Sequence, residues 1–169
     1  KRIDSIMSYI ITKHDIDMNI RTAKQIFNSE EGLKIAFDEI KAIKKHVYEV
    51  IDEIKIEAPN YNVVVRDNKQ HICDLMFKGK TLLIQFYQAY SNVPDDSYLL
   101  FAIVDGYFDN NGYADPLYPA KMNEIIRLNF SYNENGNFGW RNQENNYDFF
   151  VSKEITEIWI EKYFTYTLS

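Results

Sequence analysis

The sequence predicts an α+β domain in which helices come first, an antiparallel sheet follows, and one helix closes the chain. Three observations predict it. Before residue 58, apolar residues recur every three or four positions, as on one side of a helix. Between residues 61 and 150 they alternate with polar residues, as in strands joined by short turns. After Ser152 the helical spacing returns. We therefore expect one domain over residues 1–169, divided into parts 1–58, 61–150 and 152–168.

The N-terminal segment predicts a short amphipathic helix from Ile3 to Thr12, because its apolar residues are spaced by three and four positions. These residues are Ile3, Ile6, Met7, Ile10 and Ile11. A second short helical piece is expected near Thr22 to Phe27.

A long amphipathic helix follows. Ser29 offers a cap oxygen, and Glu30 and Glu31 place acids in the first turn. Pro59 sets the end, because the residue before a proline is pushed out of the α region. One side carries a heptad-like stripe: Ala36, Ile40, Ile43, Val47, Val50 and Ile54. About 28 residues give a helix of roughly 40 Å. The expected radius of gyration of the domain is near 15 Å, so this helix should span the whole domain or project beyond it. We therefore expect this stripe to form a seam between copies of the chain.

An antiparallel meander of about five to six strands is expected next. The segment Lys78-Gly79-Lys80 predicts a tight turn, and Asn135-Gly136 favours a two-residue type I′ turn. The stretch 98–104 is apolar on both faces, which indicates a central strand. Residues 105–122 predict a long loop, and a short strand is expected over residues 147–150.

The closing helix is expected to begin at Ser152. Its buried stripe is predicted to contain Ile155, Ile158, Trp159 and Tyr163, which recur at helical spacing.

Composition restricts the compartment and the partners. The net charge is −6 and the lysines are scattered, so a duplex nucleic acid is not the expected partner. Cys73 is the one cysteine, which excludes an intrachain disulfide and favours a reducing, cytoplasmic compartment. No stretch reaches the roughly 18 apolar residues of a membrane span. Aromatic residues make up 15% of the chain, and such rings occur in cores and at interfaces alike.

No metal site or cofactor is expected. His14, His46 and His71 lie in different predicted elements and lack the spacing of metal ligands. Cys73 lies on the inferred apolar face of a strand, which predicts a buried and unreactive thiol.

A metal-dependent hydrolase or nuclease is an alternative, with Asp74, Asp105 and Glu124 as candidate acids. Gln85 and Tyr87 argue against it, because they occupy the positions where such a site places its second acid and its lysine.

The sheet face opposite the core is expected to collect polar side chains, where Arg127 and Arg141 would hold an anionic or planar group. The predicted binding residues are Asp74, Gln85, Tyr87, Asp105, Arg127, Asn129 and Arg141. We interpret the chain as a non-enzymatic protein-binding module that acts as a homo-oligomer. Inhibitory, immunity-type or defence-accessory roles fit these properties. A small-ligand binder that uses the sheet is a further alternative.

Overall fold

The computed structural model describes residues 1–68, 72–89, 92–108 and 121–169. Within these ranges the elements are α1 (Arg2–Phe27), α2 (Glu30–Glu57), β1 (Val64–Asp67), β2 (Cys73–Phe77), β3 (Lys80–Tyr87), β4 (Tyr98–Asp105), β5 (Lys121–Tyr132), β6 (Phe138–Asn142), β7 (Phe149–Phe150) and α3 (Ser152–Leu168). The strands form one antiparallel sheet in the order β1 to β7. This confirms the α+β prediction, with seven strands in the described residues where about five to six were expected.

All of the described helices pack on the same face of the sheet, which we call the helix face. Phe37 of α2 meets Phe86 of β3 edge-on, with ring centroids 5.6 Å apart. Trp159 of α3 stacks on Phe101 of β4 at 5.9 Å. The end of α1 places Phe27 over β5, where it stacks on a second phenylalanine at 6.2 Å. The core therefore lies between one layer of helices and one layer of strands.

The apolar stripe of α2 is buried by the chain's own sheet, which corrects the predicted seam between copies. Four of its members are fully buried, and the other two are partly buried against the same cluster. The buried members are Ala36, Ile40, Ile43 and Val47, and the partly buried ones are Val50 and Ile54. A helix of roughly 40 Å fits because a sheet of seven strands about 4.8 Å apart is itself about 30 Å wide. The stripe therefore offers no surface for self-association.

α1 is one continuous helix, where the sequence predicted two pieces. Two glycines allow close packing around its C-terminal half. A Cβ on Gly32 of α2 would lie 2.6 Å from the carbonyl oxygen of Ile26. A Cβ on Gly136 in the β5–β6 turn would lie 2.6 Å from the carbonyl oxygen of Asn19. The C-terminal half of α1 is therefore held between α2 and this hairpin.

The two predicted hairpin turns differ in type. Lys78 and Gly79 both have positive φ, 51° and 76°, as a two-residue type I′ turn requires. In the second hairpin only Gly136 has positive φ, 78°. There Asn133 N donates to Asn137 O at 2.9 Å, which leaves three residues in the loop. In three-residue loops of this kind, the last residue adopts the left-handed conformation and forms a β-bulge. The predicted two-residue turn is therefore one residue too short.

The chain ends as predicted in a helix, α3, but its buried side differs. Ile158 is 41% exposed and Ile160 is buried in its place. Tyr163 is buried, and its hydroxyl donates to Lys80 O at 2.8 Å. Of the predicted loop at 105–122, residues 109–120 lie outside the described ranges, and β5 already begins at Lys121.

Candidate functional site

The sheet face away from the helices, where the sequence predicted a group of polar side chains, is apolar in its middle. Leu83, Leu100, Ala102 and Val104 form a buried cluster there, and Phe108 packs against it. β4 is thus covered on both faces, which confirms its prediction as a central strand. The polar side chains of this face are consequently confined to its margins.

Asp74 lies on this face but is only 3% exposed. The register places Arg66 of β1 directly beside it, with Nε 3.6 Å from the carboxylate Oδ2. Asn68 Nδ2 donates to Oδ1 at 3.0 Å. Burial raises the pKa of Asp74, and these two partners oppose that rise. Asp74 therefore holds the first two strands together and presents no open carboxylate to a ligand.

Asp105 lies on the opposite, helix face, which corrects its predicted place among the binding residues. It lies two residues after Ile103 of the core, on the same face of β4, and pairs with Lys80, whose Nζ is 2.8 Å from Oδ1. Asn123 Nδ2 donates to the same oxygen at 2.9 Å. Hydrogen bonds from Lys80 and then Asn123 lower the pKa of Asp105. Lys80 also reaches Tyr166 of α3, at 5.1 Å from the ring centroid.

The three candidate acids of a hydrolase do not converge. Glu124 is on the helix face and pairs with Lys162 of α3 at 2.7 Å, whereas Asp74 is on the other side of the sheet. Across the described ranges, no three His, Cys, Asp or Glu side chains gather closely enough to hold a metal ion. The geometry therefore does not favour the metal-dependent hydrolase.

The remaining predicted binding residues divide into an exposed group and an anchored arginine. The exposed group contains Tyr87, Arg127 and Asn129, with Gln85 half-buried beside them. Together with the half-buried Tyr98, which was not predicted, they form what we call the polar end. Arg141 is anchored, because its guanidinium donates to Asn146 O at 2.6 Å and to Tyr132 O at 2.9 Å. Its ring contact with Phe149, 5.1 Å to the centroid, holds the guanidinium further. The predicted clamp of two arginines thus reduces to Arg127.

The polar end is built around two stacked tyrosines. Tyr87 and Tyr98 are opposite one another on β3 and β4, with centroids 4.8 Å apart and planes 21° from parallel. The Tyr87 hydroxyl donates to Gln85 Oε1 at 2.6 Å. Partial burial raises the pKa of Tyr87. The neighbouring Tyr98 raises this pKa further, and the positive charge of Arg127 lowers it. Arg127 itself is exposed, and no hydrogen bond or ion pair to its guanidinium is formed by the described residues.

The histidines and the cysteine form no reactive group within the described residues. His46 on α2 lies 2.9 Å from Glu157 of α3, and His14 is exposed on α1. His71 lies outside the described ranges. Cys73 is fully buried, as predicted, and burial raises the pKa of its thiol to about 12.

Of the described elements, α1 carries the most exposed large apolar side chains, where the sequence predicted a helix but no site. Every residue from 1 to 15 is exposed. The five predicted apolar residues of this half are 51–75% exposed. They are Ile3, Ile6, Met7, Ile10 and Ile11, and we call them the α1 stripe. Isolated apolar residues on a surface are ordinary, but five at helical spacing form a continuous patch.

The α1 stripe points away from the body of the domain. The C-terminal half of the helix packs through a different row, Ile16, Ile20, Ala23 and Phe27, all at least partly buried. Ala23 follows Ile10 by thirteen residues, which places it about 140° around the helix axis at 3.6 residues per turn. The chain's own sheet therefore cannot cover the stripe while α1 stays one straight helix.

Comparison of the chain with protein-family models, with curated proteins and with solved structures returned no match in any of the three. In the part of the chain that the structure describes, no helix combines the length and the apolar character needed to cross a bilayer.

Proposed function

We propose that this chain is a non-enzymatic protein-binding module that acts as a homo-oligomer, and that the α1 stripe is its binding surface. One observation carries the proposal: five large apolar side chains, 51–75% exposed, share one side of a helix half in which every residue is exposed. Covering about half of each side chain would contribute roughly 1 kcal/mol apiece. That gain favours contact with another protein surface.

The remainder of the described structure supports this choice over the sequence-based one. The α2 stripe is core, so an oligomer cannot form through it without unfolding the domain. The α1 stripe needs no rearrangement, because its side chains already face solvent. The polar residues around it include both Asp4 and Lys13, whereas helices that lie on membranes are rich in Lys and Arg on the polar side. A protein surface therefore suits the stripe better than a lipid surface.

The test is light scattering coupled to size exclusion, where a single chain has a mass of 20.0 kDa. We expect the native chain to exceed that mass at micromolar concentration. Ile6→Asp and Ile10→Asp should each return it to one chain, because a carboxylate would have to be desolvated in the interface. Thr12→Asp is the matched control: it adds the same charge to the same exposed half, on the opposite side of the helix.

Circular dichroism should show unchanged helix content in all three variants, since each replaced residue is exposed. A native chain that stays at one-chain mass over a hundredfold range of concentration would contradict the proposal.

A second candidate function is small-ligand binding at the polar end. Arg127 favours it, because its guanidinium is exposed and has no hydrogen-bond or ion-pair partner among the described residues. An exposed arginine beside the stacked rings of Tyr87 and Tyr98 suits a flat anion, which the arginine can pair with and the rings can contact. Benzoate is a suitable probe, with acetate and benzamide as comparisons. Because a bound ligand stabilises the folded chain by mass action, benzoate should raise the melting temperature more than acetate or benzamide does.

Arg127→Met should remove the benzoate shift, whereas Lys55→Met, which deletes an exposed positive charge on α2, should leave it intact. Equal shifts for benzoate and benzamide would show that the anion is not recognised.

A further inference from the structure

The α1 stripe is wider than the seam of a two-stranded coiled coil. Ile6 and Ile11 form its two edges and are five residues apart, which is about 140° around the axis. Ile3, Met7 and Ile10 lie between them. A two-stranded seam uses only two positions in seven, whereas a broader stripe is typical of a helix with neighbours on more than one side.

The length of the stripe argues in the same direction. From Ile3 to His14 the helix is about 18 Å long and about 10 Å wide, so one flat contact covers only a few hundred square ångströms per helix. A stable interface buries about 1,000 Å² or more in total. One pair of helices would fall short of this area, and a dimer would leave Ile6 or Ile11 in water on each copy. Contact with two neighbours buries both edges.

The position of the domain body allows such packing. Ala23, on the side of α1 that packs on the domain, lies about 140° from Ile10 of the stripe. When several stripes face a common axis, the domain bodies lie on the outside and do not compete for the same space. The two halves of α1 thus separate the assembling surface from the folded body.

We propose that the N-terminal halves of α1 from three or more copies pack into one helical bundle, so that the oligomer contains more than two chains. This proposal rests on the self-association proposed above, and it names the partner of that surface as further copies of the same helix. Both edges of the stripe, Ile6 and Ile11, are buried in this bundle, whereas a dimer seam leaves one of them in water on each copy.

Sedimentation velocity and light scattering over a hundredfold range of concentration test the bundle directly. We expect a mass of at least three times 20.0 kDa. The double variant Ile6→Ser, Ile11→Ser narrows the stripe to a seam, so it should reduce the mass to two chains or one. The control is Thr12→Ser, which changes a residue on the opposite side and should keep the native mass.

The outcomes separate the two proposals. A native mass of two chains overturns the bundle and leaves self-association through the stripe in place. A native mass of one chain overturns both, whether or not the protein binds anionic phospholipid vesicles. A mass of three or more that the double serine variant does not reduce also overturns the bundle, because the edges would then play no part in it.

Discussion

Replacement of Ile43 by alanine tests whether the α2 stripe is intrachain core. Ile43 is 0% exposed and lies in the main cluster. The change removes three carbon atoms, which at about 0.8 kcal/mol each is about 2.4 kcal/mol of lost transfer free energy. The cavity left behind adds to this, so we expect the free energy of unfolding to fall by about 3–4 kcal/mol. In urea, with a slope near 2 kcal/mol per molar, the midpoint should fall by about 1.5–2 M.

Urea titration followed by tryptophan fluorescence measures this change, because both Trp140 and Trp159 are buried in the same core. The measurement is best made on Ile10→Asp protein, so that self-association does not add to the apparent stability. Ile56→Ala is the matched control, since this isoleucine of α2 is 76% exposed and its loss should change stability by less than about 0.5 kcal/mol.

The opposite result would be a fall of less than about 1 kcal/mol in the free energy of unfolding, together with a lower mass of the native oligomer in Ile43→Ala. The side chain would then face another copy of the chain, and the placement of α2 on its own sheet would be wrong.

Three further outcomes are expected. Ser152→Ala should lower the free energy of unfolding by about 1–3 kcal/mol in urea titration, because the buried Trp140 indole N–H would lose its acceptor at 2.9 Å. Tyr163→Phe should lower it by about 1–2 kcal/mol, since the buried hydroxyl donates to a strand carbonyl. Hydrogen bonding by Lys44 lowers the pKa of Asp67, so this pair stabilises the fold above the unfolded pKa and loses its effect as pH falls through the lower, folded value. In Lys44→Met the carboxyl carbon of Asp67 should titrate at higher pH by NMR.

Local signals predicted α2 well and α1 poorly, for a physical reason. The acids after Ser29 and the proline at position 59 fix the ends of α2, and the observed helix is Glu30–Glu57. The Ser29 hydroxyl nevertheless donates backward to Ile26 O at 2.6 Å and does not cap α2. In α1 the apolar row changes sides between the two halves. A search for one continuous stripe therefore divides α1 into two pieces, although no residue in it ends the helix.

The candidate sites were predicted less completely than the fold, because exposure depends on which elements cover a face. Alternation along the strands placed Gln85, Tyr87 and Arg127 on one face correctly. The prediction for Asp105 was wrong, because alternation from Ile103 places this residue on the helix face at the end of β4. The α1 stripe and the α2 stripe have the same kind of spacing, and only the folded chain shows that one is core and the other is solvent-exposed.

Because α1 is continuous, the number of residues between its two apolar rows sets the angle between these rows around the helix axis. One residue inserted after Thr12 would rotate the N-terminal turns of α1 by about 100° around the helix axis. The angle between Ile10 and Ala23 would then fall from about 140° to about 40°. The isoleucines would then swing toward the flank of their own sheet. The number of residues between the two rows therefore sets the direction in which the isoleucines of the N-terminal turns point. The identity of the polar residues in this segment does not change that direction.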